Sequence, residues 1–98
     1  MEIKGAQEKT VKLIEERLKK KGLKSDVDLV MTHLVEEFGE IAFQINNGKL
    51  KRKEVDVNNI GEEISDCMML LMMLAKHYNI DLEKALINKM EEIRNKTN

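Results

Sequence analysis

The chain has 98 residues and a net charge of −1 at pH 7, and 36% of its residues are charged. This length predicts a single domain, residues 1–98, with a modest core, and the balanced charge gives no general attraction to nucleic acid or to anionic membranes. The only cysteine, Cys67, cannot form an intrachain disulfide, and the longest apolar run is nine residues, too short to span a bilayer. We therefore expect a cytoplasmic protein that binds neither nucleic acid nor membrane.

Four helices are predicted in chain order, and no segment has a strand pattern. The first extends from about Ile3 to Lys21 and ends at Gly22, since glycine is the common residue after a helix C-terminus. The second begins at Ser25 or Asp26, both good N-caps, and stops at residues 46–48, Asn-Asn-Gly. A polar link over residues 49–55 follows.

The third helix is predicted to begin near residues 56–59 and to end at Asn79, and the fourth to follow an Asp81 cap and continue to about Lys96. The second and third helices carry apolar residues with steps of three and four, the spacing of a buried seam. The fold class is therefore all-α, a four-helix bundle. The expected seams are Val27, Met31, Leu34, Phe38, Ile41 and Ile45, and Ile60, Ile64, Cys67, Leu71 and Leu74.

From Cys67 to Ala75 the third helix is apolar on every side. Such a helix is buried all round, and a chain of this size covers only some of its faces. We expect a second copy of the chain to cover the rest, in a homodimer or homotetramer with this helix central to the interface. The alternative is that the methionines simply fill gaps in the core.

Pairs of acids three residues apart occur twice, as Glu37 with Glu40 and as Glu63 with Asp66. This spacing places both members of a pair on one helix face, and each pair is predicted to flank its apolar seam. Two packed helices would then bring four carboxylates together. Glu36 borders the first pair.

Basic residues are missing around both pairs: no lysine or arginine lies between Lys24 and Lys49 or between Lys53 and Lys76. Clustered carboxylates without a cation repel one another, and a divalent metal relieves the repulsion. Oxygen ligands alone favour a hard ion, Mg²⁺ or Mn²⁺, and four of them are generous for a single Mg²⁺. The alternative is a solvated acidic face, which is common on helices.

The segment of residues 34–42, LVEEFGEIA, followed by residues 62–66, EEISD, resembles the signature of the MazG family. That signature is Glu-Glu-x-x-Glu, a spacer, and Glu-x-x-Asp. Twenty-two residues separate Glu40 from Glu63 here, and an apolar helix, a short turn and a last helix with spaced basic residues follow. The resemblance covers about residues 27–94.

This resemblance implies an all-α enzyme that dimerises or forms tetramers. It also implies Mg²⁺-dependent cleavage of nucleoside triphosphates between the α- and β-phosphates, which yields a nucleoside monophosphate and pyrophosphate. By position, the implied metal ligands are Glu37, Glu40, Glu63 and Asp66, and Glu36 is implied to be a further ligand or to orient the attacking water.

Three further residues are candidates for substrate contacts. Lys89 and Arg94 lie where the resemblance places basic residues against phosphates, although the last helix keeps only part of the usual spacing and such residues are commonly solvated. His33 lies one turn before Glu37, where it either contacts substrate or is simply half-buried near the bundle. The main rival to an enzyme is a noncatalytic helical oligomerisation or regulatory module. The base, the sugar and the biological role are not identified by the sequence.

Overall fold

The computed structural model describes residues 2–50 and 54–97, and in this part of the chain every regular element is an α-helix. The predicted all-α class is thus confirmed. In chain order the helices are α1 (Ile3–Lys20), α2 (Val27–Leu50), α3 (Val57–His77) and α4 (Leu82–Thr97). None of the helices within these residues has the length and apolarity that a membrane crossing requires.

Aspartates cap the N-termini of the last three helices. The Asp26 carboxylate accepts hydrogen bonds from the backbone N–H groups of Asp28 (2.8 Å) and Leu29 (3.3 Å), so the Asp26 alternative for the start of α2 is the one observed. Asp56 accepts in the same way from Asn59, and Asp81 from Lys84, each at 3.1 Å. Such caps satisfy donors that have no partner inside the helix.

Two helix C-termini end in the same way, through a residue with positive φ. Gly22 (φ +71°) follows α1, and Asn79 (φ +53°) follows α3. The next residue in each case donates a hydrogen bond back across the last turn, Leu23 to Leu18 and Ile80 to Ala75. This is the Schellman arrangement. The helices themselves end at Lys20 and His77, one and two residues before the predicted ends at Lys21 and Asn79.

The predicted end of α2 at residues 46–48 is wrong, because the helix continues to Leu50. Asparagine and glycine each cost the helix about 1 kcal/mol or less relative to alanine. Without a proline, which breaks hydrogen bonding outright, this cost does not stop the chain. The remainder of the predicted link falls partly on residues 51–53, which lie outside the described residues.

The chain forms two compact units, residues 1–24 with 72–98, and residues 25–71. In the first unit the buried Gln7 of α1 joins the turn between α3 and α4. Its side-chain Nε2 donates to the Ile80 carbonyl at 3.0 Å, and its Oε1 accepts from the Leu82 N–H at 3.1 Å. Met73, 1% exposed, is the most buried large side chain of this unit.

The second unit pairs α2 with the first part of α3. Its buried stripe on α2 consists of Val30, Leu34, Glu37 and Ile41, in steps of four, three and four. The predicted seam was therefore partly wrong: Leu34 is 4% exposed, but Phe38 is 51% exposed. The physical reason is that α2 carries two apolar stripes about 90° apart at 100° per residue, and periodicity does not say which one faces the chain's own α3.

The second stripe on α2 is exposed and comprises Met31, Val35, Phe38 and Ile45. A matching exposed stripe on α3, equally displaced from its buried face, comprises Ile64, Met68 and Leu71. On each helix the exposed stripe is rotated from the buried one by a similar angle, in the direction of increasing residue number. Because the two helices are antiparallel, these rotations bring both exposed stripes to the same side of the pair. They form one surface, which we call the apolar face. The expectation that the chain covers only some faces of residues 67–75 is thus confirmed. Met68 and Leu71 are exposed. The residues buried in the chain itself are Cys67, Met72, Met73 and Ala75.

Candidate metal centre

Three carboxylates of the second unit meet where α2 contacts α3. They belong to Glu37 of α2 and to Glu63 and Asp66 of α3, and one oxygen from each lies within 4.8 Å of the others. Glu37 and Glu63 are half-buried, and Asp66 is exposed. We call this group the acidic cluster.

Glu37 and Glu63 occupy positions that an apolar residue would normally fill. Glu37 continues the buried stripe of Leu34 and Ile41 on α2, and Glu63 lies between Ile60 and Cys67 on α3. The sequence pattern predicted that both glutamates flank their seams. In the structure they lie within the seams. Since removing a carboxylate from water is unfavourable unless it gains a partner, two acids facing each other here need a compensating proton or cation.

The Glu63 carboxyl shows the consequence of this placement. Its pKa is raised above the usual 4.5, first by a hydrogen bond with the Glu37 carboxyl, then by burial, and then by the negative charges of Glu37 and Asp66. Its Oε2 atom is buried and has no hydrogen-bond donor within the described part of the chain. Either a shared proton or a bound cation would satisfy these oxygens.

The thiol of Cys67 lies next to this group, one turn after Glu63. Burial raises the pKa of the Cys67 thiol, and the charges of Glu37, Glu63 and Asp66 raise it further. A buried thiol with a raised pKa stays protonated at neutral pH, which makes it a poor nucleophile and a poor metal ligand. The oxygens of the acidic cluster therefore define the donor set.

This donor set fits a hard divalent cation. All three ligand candidates offer carboxylate oxygen, the type that Mg²⁺ and Mn²⁺ prefer. One oxygen, Glu63 Oε2, is already buried and without a donor. A cation at the acidic cluster would also remove the repulsion that raises the pKa of Glu63. The residues present are thus consistent with a divalent metal site.

Glu36 and Glu40, the other two predicted acids, are exposed on α2 and lie outside the group of three. Glu40 is one turn after Glu37, and His33 is one turn before it. At 100° per residue, His33 and Glu40 lie about 160–180° from the exposed stripe of α2. Asp66 is displaced by a similar angle from the exposed stripe of α3. The acidic cluster therefore opens on the side opposite the apolar face.

The predicted substrate contacts are divided between the two units, with His33 in the second and Lys89 and Arg94 in the first. His33 is exposed, so the half-buried alternative for it was wrong. Lys89 and Arg94 belong to the first unit, on α4, and each pairs with a glutamate of its own helix: Lys89 with Glu92 at 3.2 Å and Arg94 with Glu91 at 3.8 Å. Such exposed pairs contribute little to stability, so both cations can exchange these partners for a phosphate at small cost.

Comparison with known proteins gives a family assignment over the same region. Residues 26–97 match the MazG nucleotide pyrophosphohydrolase domain. No curated protein and no solved structure matches the chain. The match contains the acidic cluster and both halves of the double acidic motif, and it covers most of the 98 residues. The chain therefore belongs to the MazG nucleotide pyrophosphohydrolase domain family.

Proposed function

We propose that the chain is a Mg²⁺-dependent nucleoside triphosphate pyrophosphohydrolase, which cleaves the bond between the α- and β-phosphates and releases a nucleoside monophosphate and pyrophosphate. Mn²⁺ is the expected substitute for Mg²⁺. The observation that carries the proposal is that carboxylate oxygens of Glu37, Glu63 and Asp66 lie within 4.8 Å of one another. The chain that holds them belongs to a family of nucleotide pyrophosphohydrolases. Three acids at a helix contact have no packing advantage over apolar residues, so a role in binding is the better explanation.

Glu37, Glu63 and Asp66 would hold the metal. Glu40 would complete the set, because it lies one turn after Glu37 on α2 and on the side of the helix to which the acidic cluster opens. Glu36 would either supply a further oxygen or hold the attacking water through a hydrogen bond. Each of these residues sits on a helix, and a helical scaffold keeps ligand geometry tighter than a loop does.

A bound divalent ion would supply charge neutralisation for the phosphates and a water of lowered pKa. The residues of the chain contribute the orientation. Glu37 and Glu63 are half-buried in the seam and would hold the ion from there, and the exposed Asp66 would face the entering triphosphate. Lys89 and Arg94 would place their positive charges against phosphate oxygens, which stabilises charge as it develops on the leaving pyrophosphate, and His33 would contact the substrate beside Glu37.

The assembly that we propose is a homodimer or homotetramer built on the apolar face. The face consists of apolar side chains from two helices, and five of them are 46–64% exposed: Val35, Phe38, Ile45, Ile64 and Met68. A second α2–α3 pair presents the same stripes, so a twofold arrangement buries both at once. Because the acidic cluster opens on the opposite side, such an association leaves it accessible.

The test is hydrolysis of a panel of nucleoside triphosphates, including deoxy and modified ones, with Mg²⁺ or Mn²⁺ and chromatographic separation of the products. We expect equal amounts of nucleoside monophosphate and pyrophosphate. Asp66→Asn should abolish most of this activity, and Glu62→Gln, a change at an exposed acid outside the acidic cluster, should preserve it. If no triphosphate is hydrolysed, the noncatalytic interaction module becomes the better interpretation, and the apolar face would be its functional surface.

A further inference from the structure

A small cavity lies beside the link between α2 and α3, in the same unit as the acidic cluster. Its volume is about 160 Å³, and its polar lining consists of Gln44, Asn47, Glu54, Asp56 and Asn59. Pockets for drug-sized ligands start at about 300 Å³, so this cavity accommodates a fragment of a nucleotide and not the whole molecule.

The lining side chains are available for hydrogen bonds. Gln44, Asn47 and Asn59 are half-buried, and their side-chain amides make no hydrogen bond within the described residues. Asp56 uses Oδ1 to cap the Asn59 N–H at 3.1 Å, which leaves its other oxygen as an acceptor. Each amide offers both donors and an acceptor, and each carboxylate offers acceptors only.

The position of this cavity relative to the acidic cluster matches the length of a nucleotide. Gln44 follows Glu37 by seven residues, and Asp56 precedes Glu63 by seven. Since α2 and α3 run antiparallel, both displacements point the same way, by about 10 Å along the helices. By helical position Gln44, Asn47 and Asn59 also lie on the side away from the apolar face, as Glu40 and Asp66 do. A ribose and an α-phosphate bridge a distance of this order.

We propose that this cavity is the base-binding subsite and that it selects bases with an exocyclic amino group; the ligand class rests on the proposed function. Adenine, cytosine and guanine each carry an amino group that donates to a carboxylate, and side-chain amides pair with base edges in the same way in nucleic-acid recognition. Thymine and uracil present a carbonyl at the corresponding position, which would face the Glu54 or Asp56 carboxylate with like polarity.

The experiment uses cytidine and uridine, which differ at one position of the base, and needs neither phosphate nor metal. Each nucleoside is titrated into ¹⁵N-labelled protein free of divalent ions, and heteronuclear NMR follows the backbone signals and the side-chain amides of Gln44, Asn47 and Asn59. We expect cytidine to shift these signals and to bind at least about 5-fold more tightly than uridine, the lower range for one good hydrogen-bonded pair.

Matched variants locate the effect. Asn47→Ala and Asn59→Ala should weaken cytidine binding by about 5-fold or more, whereas Asn46→Ala and Asn58→Ala, at the exposed neighbouring positions, should leave it unchanged. Glu54→Gln should reduce the preference for cytidine. Circular dichroism melts verify that each variant folds.

Equal binding of the two nucleosides, shifts confined to other residues, or no shift up to the solubility limit of cytidine would overturn the proposal. Its failure is distinguishable from failure of the proposed reaction. Triphosphate hydrolysis without nucleoside shifts at the cavity would reject only the subsite. Nucleoside binding at the cavity without hydrolysis would support the subsite and reject the reaction.

Discussion

The carboxyl of Glu63 faces that of Glu37 across the contact between α3 and α2, and a hydrogen bond between them is the largest cause of the raised pKa of Glu63. Two carboxylates at a helix contact, with a buried oxygen that has no donor, weaken the packing of the metal-free chain. The same pair belongs to the group of three carboxylates that is consistent with a divalent metal site. The conflict between packing and binding gives several measurable consequences.

The first consequence is a dependence of stability on pH. The pKa of Glu63 is raised in the folded chain above 4.5, so the folded state binds the proton more tightly than the unfolded state. The stability from this proton is fully present below pH 4.5 and is lost as pH rises through the folded pKa. In metal-free protein, Glu63→Gln should therefore raise the melting temperature at pH 7 and change it little at pH 4. Glu62→Gln is the matched control. A variant that melts below wild type at pH 7 would contradict this explanation.

The second consequence concerns metal binding. Mg²⁺ or Mn²⁺ should stabilise the folded chain by mass action, by about 2.7 kcal/mol at 100 times the dissociation constant, which corresponds to a rise on the order of 10–20 °C for a chain of this length. Glu37→Gln should raise the stability of the metal-free chain and remove most of the metal-dependent rise. Differential scanning calorimetry over a metal titration measures both effects. If Glu37→Gln and Glu63→Gln titrate like wild type, the acidic cluster is not the binding site.

The third consequence concerns the reaction. Glu40→Ala or Asp66→Ala should lower kcat by about 100-fold or more, the scale on which electrostatic groups act in catalytic sites. Lys89→Ala should be milder, about tenfold, since it removes one phosphate contact; Lys84→Ala, on the same helix, is its control. In ¹⁸O-labelled water, label in the monophosphate indicates attack on the α-phosphorus, and label in pyrophosphate indicates attack on the β-phosphorus. Orthophosphate as the sole inorganic product would refute cleavage at the α–β bond.

A fourth prediction concerns assembly and depends on the apolar face, not on the acidic cluster. Phe38 and Phe43 are both exposed, at 51% and 64%, but only Phe38 belongs to the apolar face. Phe38→Lys or Met68→Lys should therefore dissociate the protein into monomers, whereas Phe43→Lys should leave the assembly intact. Light scattering during size exclusion measures the mass. A wild-type mass of 11.4 kDa, that of one chain, at micromolar concentration would rule out the proposed oligomer.

The sequence by itself determined the helices and the acids of the site. Asp26, Asp56 and Asp81 are local caps, and Gly22 and Asn79 are local stops, so nearest-neighbour chemistry was enough to find these boundaries. The double acidic motif also predicted that Glu37, Glu40, Glu63 and Asp66 come together, and three of these four do, whereas Glu40 lies outside the group. Local rules were wrong at the end of α2, where the cost of asparagine and glycine was too small to stop a helix.

Only the tertiary structure decided which face of each helix is internal. Steps of three and four describe both stripes of α2 equally well, and the choice between Leu34 with Glu37 and Val35 with Phe38 depends on contacts with α3, which lies far along the chain. A seam defined by apolar residues alone excludes Glu37, because the rule does not expect a charged residue at a buried position. The cavity beside the link between α2 and α3 was not predicted either, because Gln44, Asn47 and Asn59 come together only when the two helices pack against each other.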